Sequence, residues 1–322
     1  MYAYLFEHPK SEARHNALSI GGNRVAFFID PVLEHTELTQ SACGQHWAVT
    51  FFKGSTFELT LGVRLTRETL DTCPPTLARA IWLDNQDNSE NNTQLLEQAS
   101  RFIRKSTTLE AERIIALTRN RALLSDRDAL AYFSSSEEQF RRLVLELCLA
   151  VAYRQVLQRS MMRLTESVKG KLPDQTLALY EDILHFNASD YFRYPVRLEN
   201  HELFPAWDWL TEHHRLPVFN TELTSQLGSV ALLLQEQREK ARDKQEQEER
   251  EARRAAEQAQ ALQEQKMEKA YSRRSTWLGI ALAGLSLLSL VELTPQHFKD
   301  AYSNWIVPYT SFITAQANDS NE

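Results

Sequence analysis

One short segment of the chain crowds metal-binding side chains together. In "TEHHRLP", His213 and His214 follow Glu212, with Asp208 and His201 a few residues upstream. Imidazole nitrogens and carboxylates are common ligands of zinc and related ions. Adjacent histidines, however, point to different faces of a helix or strand and make a poor pair for a single ion, so a surface turn is the competing reading. A second acidic series, Glu236, Glu246, Glu248, Glu249 and Glu251, would line a cation path if several copies of the segment stood around an axis. On a single helix the same residues are a solvated face. Glu292, at the far end of an apolar run, would concentrate cations at a pore mouth or simply mark the edge of that run.

Beyond these groups no catalytic signature is found. There is no GxGxxG, P-loop, GxSxG or HExxH pattern, and "SIGGNR" precedes a strand-like run, which suits a turn better than a phosphate cradle. No cofactor-binding residue is identified. Cys43, Cys73 and Cys148 are odd in number and widely spaced, which suggests neither a disulfide framework nor a thiolate metal site and fits a reducing compartment. The net charge of −7, with acidic and basic residues interleaved, gives no field that would attract nucleic acid. The amino terminus shows no basic-then-apolar signal pattern, so the leading domain is expected to stay where it is made.

The elements that must position these groups follow from periodicity. Up to about residue 85, "YAYLFEH", "RVAFFID", "HWAVTFFKG" and "TFELTLGVRLT" are rich in aromatic and β-branched residues and read as strands. In the last of these, Phe57, Leu59, Leu61, Val63 and Leu65 share one face, and Glu58, Thr60 and Arg64 the other. "LARAIWLD" reads as a strand or a short helix. After the polar loop Asp84 to Asn92, "TQLLEQASRFIRK" and "TLEAERIIALTRNRALL" show helical spacing, with Thr108 as a cap. Ser136 to Val168 is a long helix with a capping serine, and "DQTLALYEDILHFN" is another. The aromatic, proline-punctuated stretch that follows reads as a connector with a short helix that packs its tryptophans inward.

From Asn220 to Leu293 there is no proline, which predicts one very long helix. Leu223, Leu227, Val230 and Leu234 form an a/d seam. Glu236/Lys240, Glu246/Arg250 and Glu249/Arg253 are ordered for i to i+4 pairing. The uncharged stretch after Arg274 is apolar on all sides and reads as a minimal membrane span over 275–293, a buried core helix being the alternative. Arg273 and Arg274 just before it orient the N-terminal part to the cytoplasm by the positive-inside rule. Trp277 opens the stretch, and Gly279 and Gly284, with Ala283, Ser286 and Ser289, would let spans approach one another. A second, proline-broken apolar segment over 301–316 is either an interfacial helix or a return crossing.

This order of parts resembles the CorA-type magnesium channel family: a mixed domain, long helices, one helix running into the membrane, a short loop and a second apolar segment. The resemblance is one of architecture. It implies a funnel-shaped oligomer around a pore, and it links the chain by analogy to the divergent CorA-like effectors of bacterial defence systems. The Gly-Met-Asn tripeptide that forms the ion-selective mouth in that family is absent, and "VELTPQHF" stands in its place, so no filter residue carries over.

The expectation is therefore an α+β chain with five parts. These are an α/β cytoplasmic subdomain over 1–90, a helical subdomain over 91–219, a charged stalk over 220–274, the span, and a tail over 294–322. Its expected location is the inner (plasma) membrane, and its expected partners are the lipid bilayer, further copies of itself and a small-molecule or protein ligand. A channel, a tethered scaffold and a tethered enzyme acting on a nucleotide or other small molecule are the functions weighed. A deep polar pocket in the first 215 residues would favour the last of these.

Overall fold

The structure, a computed structural model, describes residues 1–7, 16–69, 75–85, 92–109, 111–170 and 173–290. The chain divides into two compact units, Met1–Gln237 and Arg238–Glu322. In the first unit, β1 (Tyr2–Glu7) is followed by short strands β2 (Asn16–Ala17), β3 (Ser19–Ile20) and β4 (Asn23–Arg24) and by α1 (Asp30–Glu34). Then come β5 (Glu37–Gln40), β6 (His46–Phe51), β7 (Leu59–Thr66), β8 (Ala78–Asp84) and α2 (Asn92–Arg104). Strands β9 (Ile115–Thr118), β10 (Arg121–Asp126) and β11 (Ala129–Ser134) precede α3 (Glu137–Lys169), α4 (Pro173–Ser189), α5 (Phe204–His213) and α6 (Leu216–Leu290).

A nine-stranded sheet runs in the order β2-β5-β6-β7-β1-β8-β11-β10-β9. Only β8 and β11 are parallel neighbours; every other pairing is antiparallel. Side chains alternate between its faces with the period of two that a strand imposes. Ala3 and Leu5 of β1, Ala78 and Ala80 of β8, and Leu130 and Tyr132 of β11 enter the core beneath α3. Their chain neighbours Ile81, Leu83, Ala129, Ala131 and Phe133 enter a second core beneath α2. The expected alternation in β7 is present: Leu59, Leu61, Val63 and Leu65 are buried, Thr60 is half-buried and Arg64 is exposed.

Helix α3 is covered on more than its sheet-facing side, with α4 and α5 packed against it. Every residue from Leu143 to Tyr153 is buried. Tyr153 anchors an aromatic group in which its ring stacks on Phe52 at 5.5 Å and meets Tyr191 and Trp207 edge-on. The phenol donates to the Asp190 carbonyl at 2.8 Å and accepts from the Phe192 amide at 3.2 Å. Ser136 occupies the N-cap position of α3 but makes no side-chain capping bond.

Two expectations about elements are corrected. The segment around 111–134 is not helical: after one 3-10 turn at Ala111–Arg113 it forms β9, β10 and β11 and extends the same sheet. Two tight turns interrupt the apparent helical spacing, and Tyr132 and Phe133 favour a strand. The long helix is real, but its seam is not free for a partner. Leu216, Leu223, Leu227 and Val230 are buried and Leu234 half-buried in the core of the first unit.

The described part of the second unit, taken by itself, is the remainder of α6, and its described side chains are almost all exposed. Arg250 pairs with Glu246 at 3.2 Å as expected, whereas Glu249 accepts from Gln245. The membrane reading is corrected: among the described residues no helix is long and apolar enough to cross a membrane. The uncharged part of α6 begins only after Arg274, and α6 is described as far as Leu290. The span over 275–293 is set aside with it. The segment over 301–316 lies outside the described residues.

Glu146, in the middle of α3, is fully buried and neither of its carboxylate oxygens meets a donor. Burial pushes its pKa well above the ordinary 4.5, so the native state holds a proton that the unfolded chain releases above that pH. Native stability therefore falls as pH rises from 4.5 toward the raised native value. Glu146→Leu removes both the orphaned oxygens and this penalty. Urea unfolding should show a gain of about 1–3 kcal/mol at pH 8, shrinking toward pH 4.5; a loss that is the same at both pH values contradicts the assignment.

Candidate functional site

The sheet's parallel pair and the helix that crosses over it leave a polar cleft at one end of the first unit. The cleft measures about 690 Å³ and is lined by Thr76 and Arg79 from the start of β8, by Ile103, Arg104, Lys105 and Ser106 at the end of α2, and by Asp126, Arg127, Asp128 and Ala129 at the β10–β11 turn. The antiparallel register places Asp126 opposite Ala129, so Arg127 and Asp128 form a two-residue turn. The parallel register sets Ala129 beside Arg79. Residues far apart in the chain thus meet because three elements end at the same level.

Two of these positions are held in a backbone conformation that side chains disfavour. Lys105 closes α2 with φ of 58°, its amide bonded to the Arg101 carbonyl at 2.9 Å, and Arg127 opens the hairpin turn with φ of 52°. Glycine adopts this region freely, whereas other residues pay a conformational penalty there. Both positions carry a positive side chain where a glycine would be less strained.

The charges of the cleft do not cancel. Arg104 Nε pairs with Asp126 Oδ2 at 2.6 Å, which raises the arginine's pKa and lowers the aspartate's. Asp128 is engaged from behind by Arg154 of α3. Arg79 donates to the Ile103 carbonyl at 3.0 Å and lies over the Phe102 ring, so its partners are uncharged. Among the described residues, neither Lys105 nor Arg127 has a side-chain partner. Among the described residues, three positive charges therefore line the cleft without a carboxylate hydrogen-bonded to them, at a helix end, a strand start and a turn, Arg127 acting on Asp126 only through space. Such a set holds an anion by charge-assisted hydrogen bonds.

The histidine pair expected as a metal candidate lies next to this cleft in a different role. Among the described residues no group of metal-ligating side chains converges, and His201, Asp208 and Glu212 are exposed. His213 stacks on Trp209 at 4.6 Å and donates from Nε2 to the Arg127 carbonyl at 2.7 Å, with Nδ1 at 3.5 Å from Ser125 Oγ. His214 is not on a surface turn; it is buried. Its Nδ1 accepts from Arg154 Nη1 at 3.3 Å, its Nε2 has no partner, and burial followed by the Arg154 charge lowers its pKa to about 3.

The other expected site residues stay apart from the cleft. Arg273 and Arg274 are exposed on α6, Trp277 is 72% exposed, and Gly279 and Gly284 have open space around them. Glu246, Glu248, Glu249 and Glu251 are exposed on the same helix, and Glu236 is exposed nearer its start. Glu292 lies outside the described residues. The cleft itself was missed because Lys105 and Arg127 carry no motif; "FIRKS" and "SDRDA" mark a helix end and a turn only once the intervening hairpin is recognised.

His214 and Glu146 act oppositely on stability. A histidine whose native pKa is depressed stabilises above its unfolded value of 6.5 and loses that contribution as pH falls toward 3. Between pH 4.5 and 6.5 this offsets the Glu146 effect. In a Glu146→Leu background, stability should rise with pH across that window by up to roughly 1.4 kcal/mol per pH unit. Adding His214→Leu should flatten the slope, and urea unfolding at four pH values reads both; a flat profile in the single variant contradicts the account.

Comparison with known families, curated proteins and solved structures finds no family model, protein or structure that matches this chain, so the reading of the cleft stands on its own geometry.

Proposed function

We propose that this chain is a binding protein for a small, multiply charged anion, of the phosphate or pyrophosphate class, held in the cleft of its first unit. The observation that carries this is the convergence of Arg79, Lys105 and Arg127, none of which is hydrogen-bonded to a carboxylate among the described residues. Holding charge is favoured over proton transfer because the nearby acids are already spent. Asp126 and Asp128 are each engaged by an arginine, and His213 by a carbonyl. A tethered enzyme is the weaker reading on the same grounds. The expectation of a ligand-sensing domain is thereby narrowed to one site and one ligand class.

Calorimetric titration of the full chain with inorganic pyrophosphate tests it. Binding should weaken steeply with added salt, and Arg127→Ala should cost about 1.5–3 kcal/mol, a ten-fold to hundred-fold loss of affinity. No heat at millimolar pyrophosphate, or equal affinity in the variant, contradicts the reading.

A second reading concerns assembly. Leu278, Ile280, Leu282, Leu285 and Leu287 are each more than half exposed along one stretch of α6, and an apolar run of this kind in water favours association. We propose that further copies of the chain cover it. Light scattering after gel filtration should give a mass of at least twice the monomer, and Leu282→Glu with Leu285→Glu should reduce it; a monomer in the unsubstituted chain removes this reading.

A further inference from the structure

The turn that forms one wall of the cleft is tied by two separate contacts to the elbow where α5 ends and α6 begins. The first is direct: the Arg127 carbonyl accepts from His213 Nε2 at 2.7 Å, and the imidazole is held in place by its stack on Trp209. The second passes through α3. Arg154 Nη1 engages the Asp128 carboxylate and also lies 3.3 Å from His214 Nδ1, while Nη2 donates to the Leu77 carbonyl at 3.3 Å. A single guanidinium nitrogen thus serves both the turn and the elbow, and its neighbour Nε is buried without a partner.

The elbow itself is under strain. Arg215 has φ of 53° between the last residue of α5 and the first of α6. Of the four non-glycine residues with positive φ among those described, Lys105 and Arg127 line the cleft and Arg215 sits at the elbow. Strained positions of this kind persist only where the surroundings over-determine them, and they concentrate where a structure changes state.

We infer that occupancy of the cleft by an anion is relayed to the α5–α6 elbow through the Arg127–Asp128 turn. This rests on the anion-binding reading above. An anion entering the cleft attracts Arg127 and repels Asp128, the two residues of one turn. Repulsion weakens the hold of Asp128 on Arg154, which leaves Arg154 without its carboxylate and loosens its contact with His214. Displacement of Arg127 carries its carbonyl away from His213. Both changes act on the two residues that precede Arg215, so the first turn of α6 loses support on binding. The ligand acts only through its different affinity for the two arrangements of the turn, as any such coupling requires.

Hydrogen–deuterium exchange on the full chain, with and without inorganic pyrophosphate, reads the relay, and calorimetry on the same samples reads binding. Amides from His214 to Asn220 should exchange about five-fold faster in the bound protein, the lower end of ordinary coupling. His213→Ala should still bind pyrophosphate, up to about five-fold more tightly because the contact that binding breaks is already absent, while its elbow response falls below about two-fold. His213→Gln, which keeps a side-chain donor for the Arg127 carbonyl, should restore the response. Binding without any change at the elbow, or a full response in His213→Ala, overturns the relay and leaves the anion site standing. Absence of binding to the unsubstituted chain overturns both.

Discussion

The fold depends on keeping α3 dry along its middle. A helix buried on every side needs an apolar environment all round, and from Leu143 to Tyr153 α3 has one, with Glu146 its one charged-type side chain. The sheet supplies one wall, while α4 and α5 supply the other. Tyr153 closes the arrangement, since its ring joins the aromatic group and its hydroxyl satisfies both a carbonyl and an amide in the connector after α4. One residue later Arg154 leaves the core and reaches the cleft turn. The helix that organises the core is therefore also the helix that braces the site.

That bracing explains how uncompensated charge survives in the cleft. Like charges near one another oppose folding, and three cations at the ends of three elements need rigid supports. Arg79 is fixed by a carbonyl and an aromatic face, Lys105 by the closing turn of α2, and Arg127 by a hairpin whose carbonyl and following carboxylate are both engaged. None of these supports neutralises the charge it holds. Glu146 and His214 show the complementary treatment of charge in the interior, where burial drives each toward its neutral form instead.

Much of the scaffold was legible in the sequence. The alternation in β7, the length of α3, the helix at α4 and the unbroken run of α6 all follow from periodicity and from the absence of proline. The strands after residue 111 were not legible, because short apolar runs such as "IIAL" and "ALL" fit either period and the turns between them contain no glycine. The lack of glycine is itself the clue in retrospect, since Lys105 and Arg127 take up positions where a glycine would have announced a turn. The cleft was hidden for a second reason. Residues 79, 105 and 127 meet only through the parallel pairing of β8 with β11, which no local pattern encodes. The apolar end of α6 showed the converse failure: composition suggested a membrane span, but among the described residues no helix is long and apolar enough to be one.

The central claim is that the cleft between α2, β8 and the β10–β11 turn is an anion site. A crystal structure of the full chain soaked in tungstate, an electron-dense analogue of phosphate, tests it most directly through anomalous scattering. The account predicts a principal anomalous peak within hydrogen-bonding distance of the Lys105 and Arg127 side chains; a principal peak elsewhere on the molecule, with none in the cleft, contradicts it.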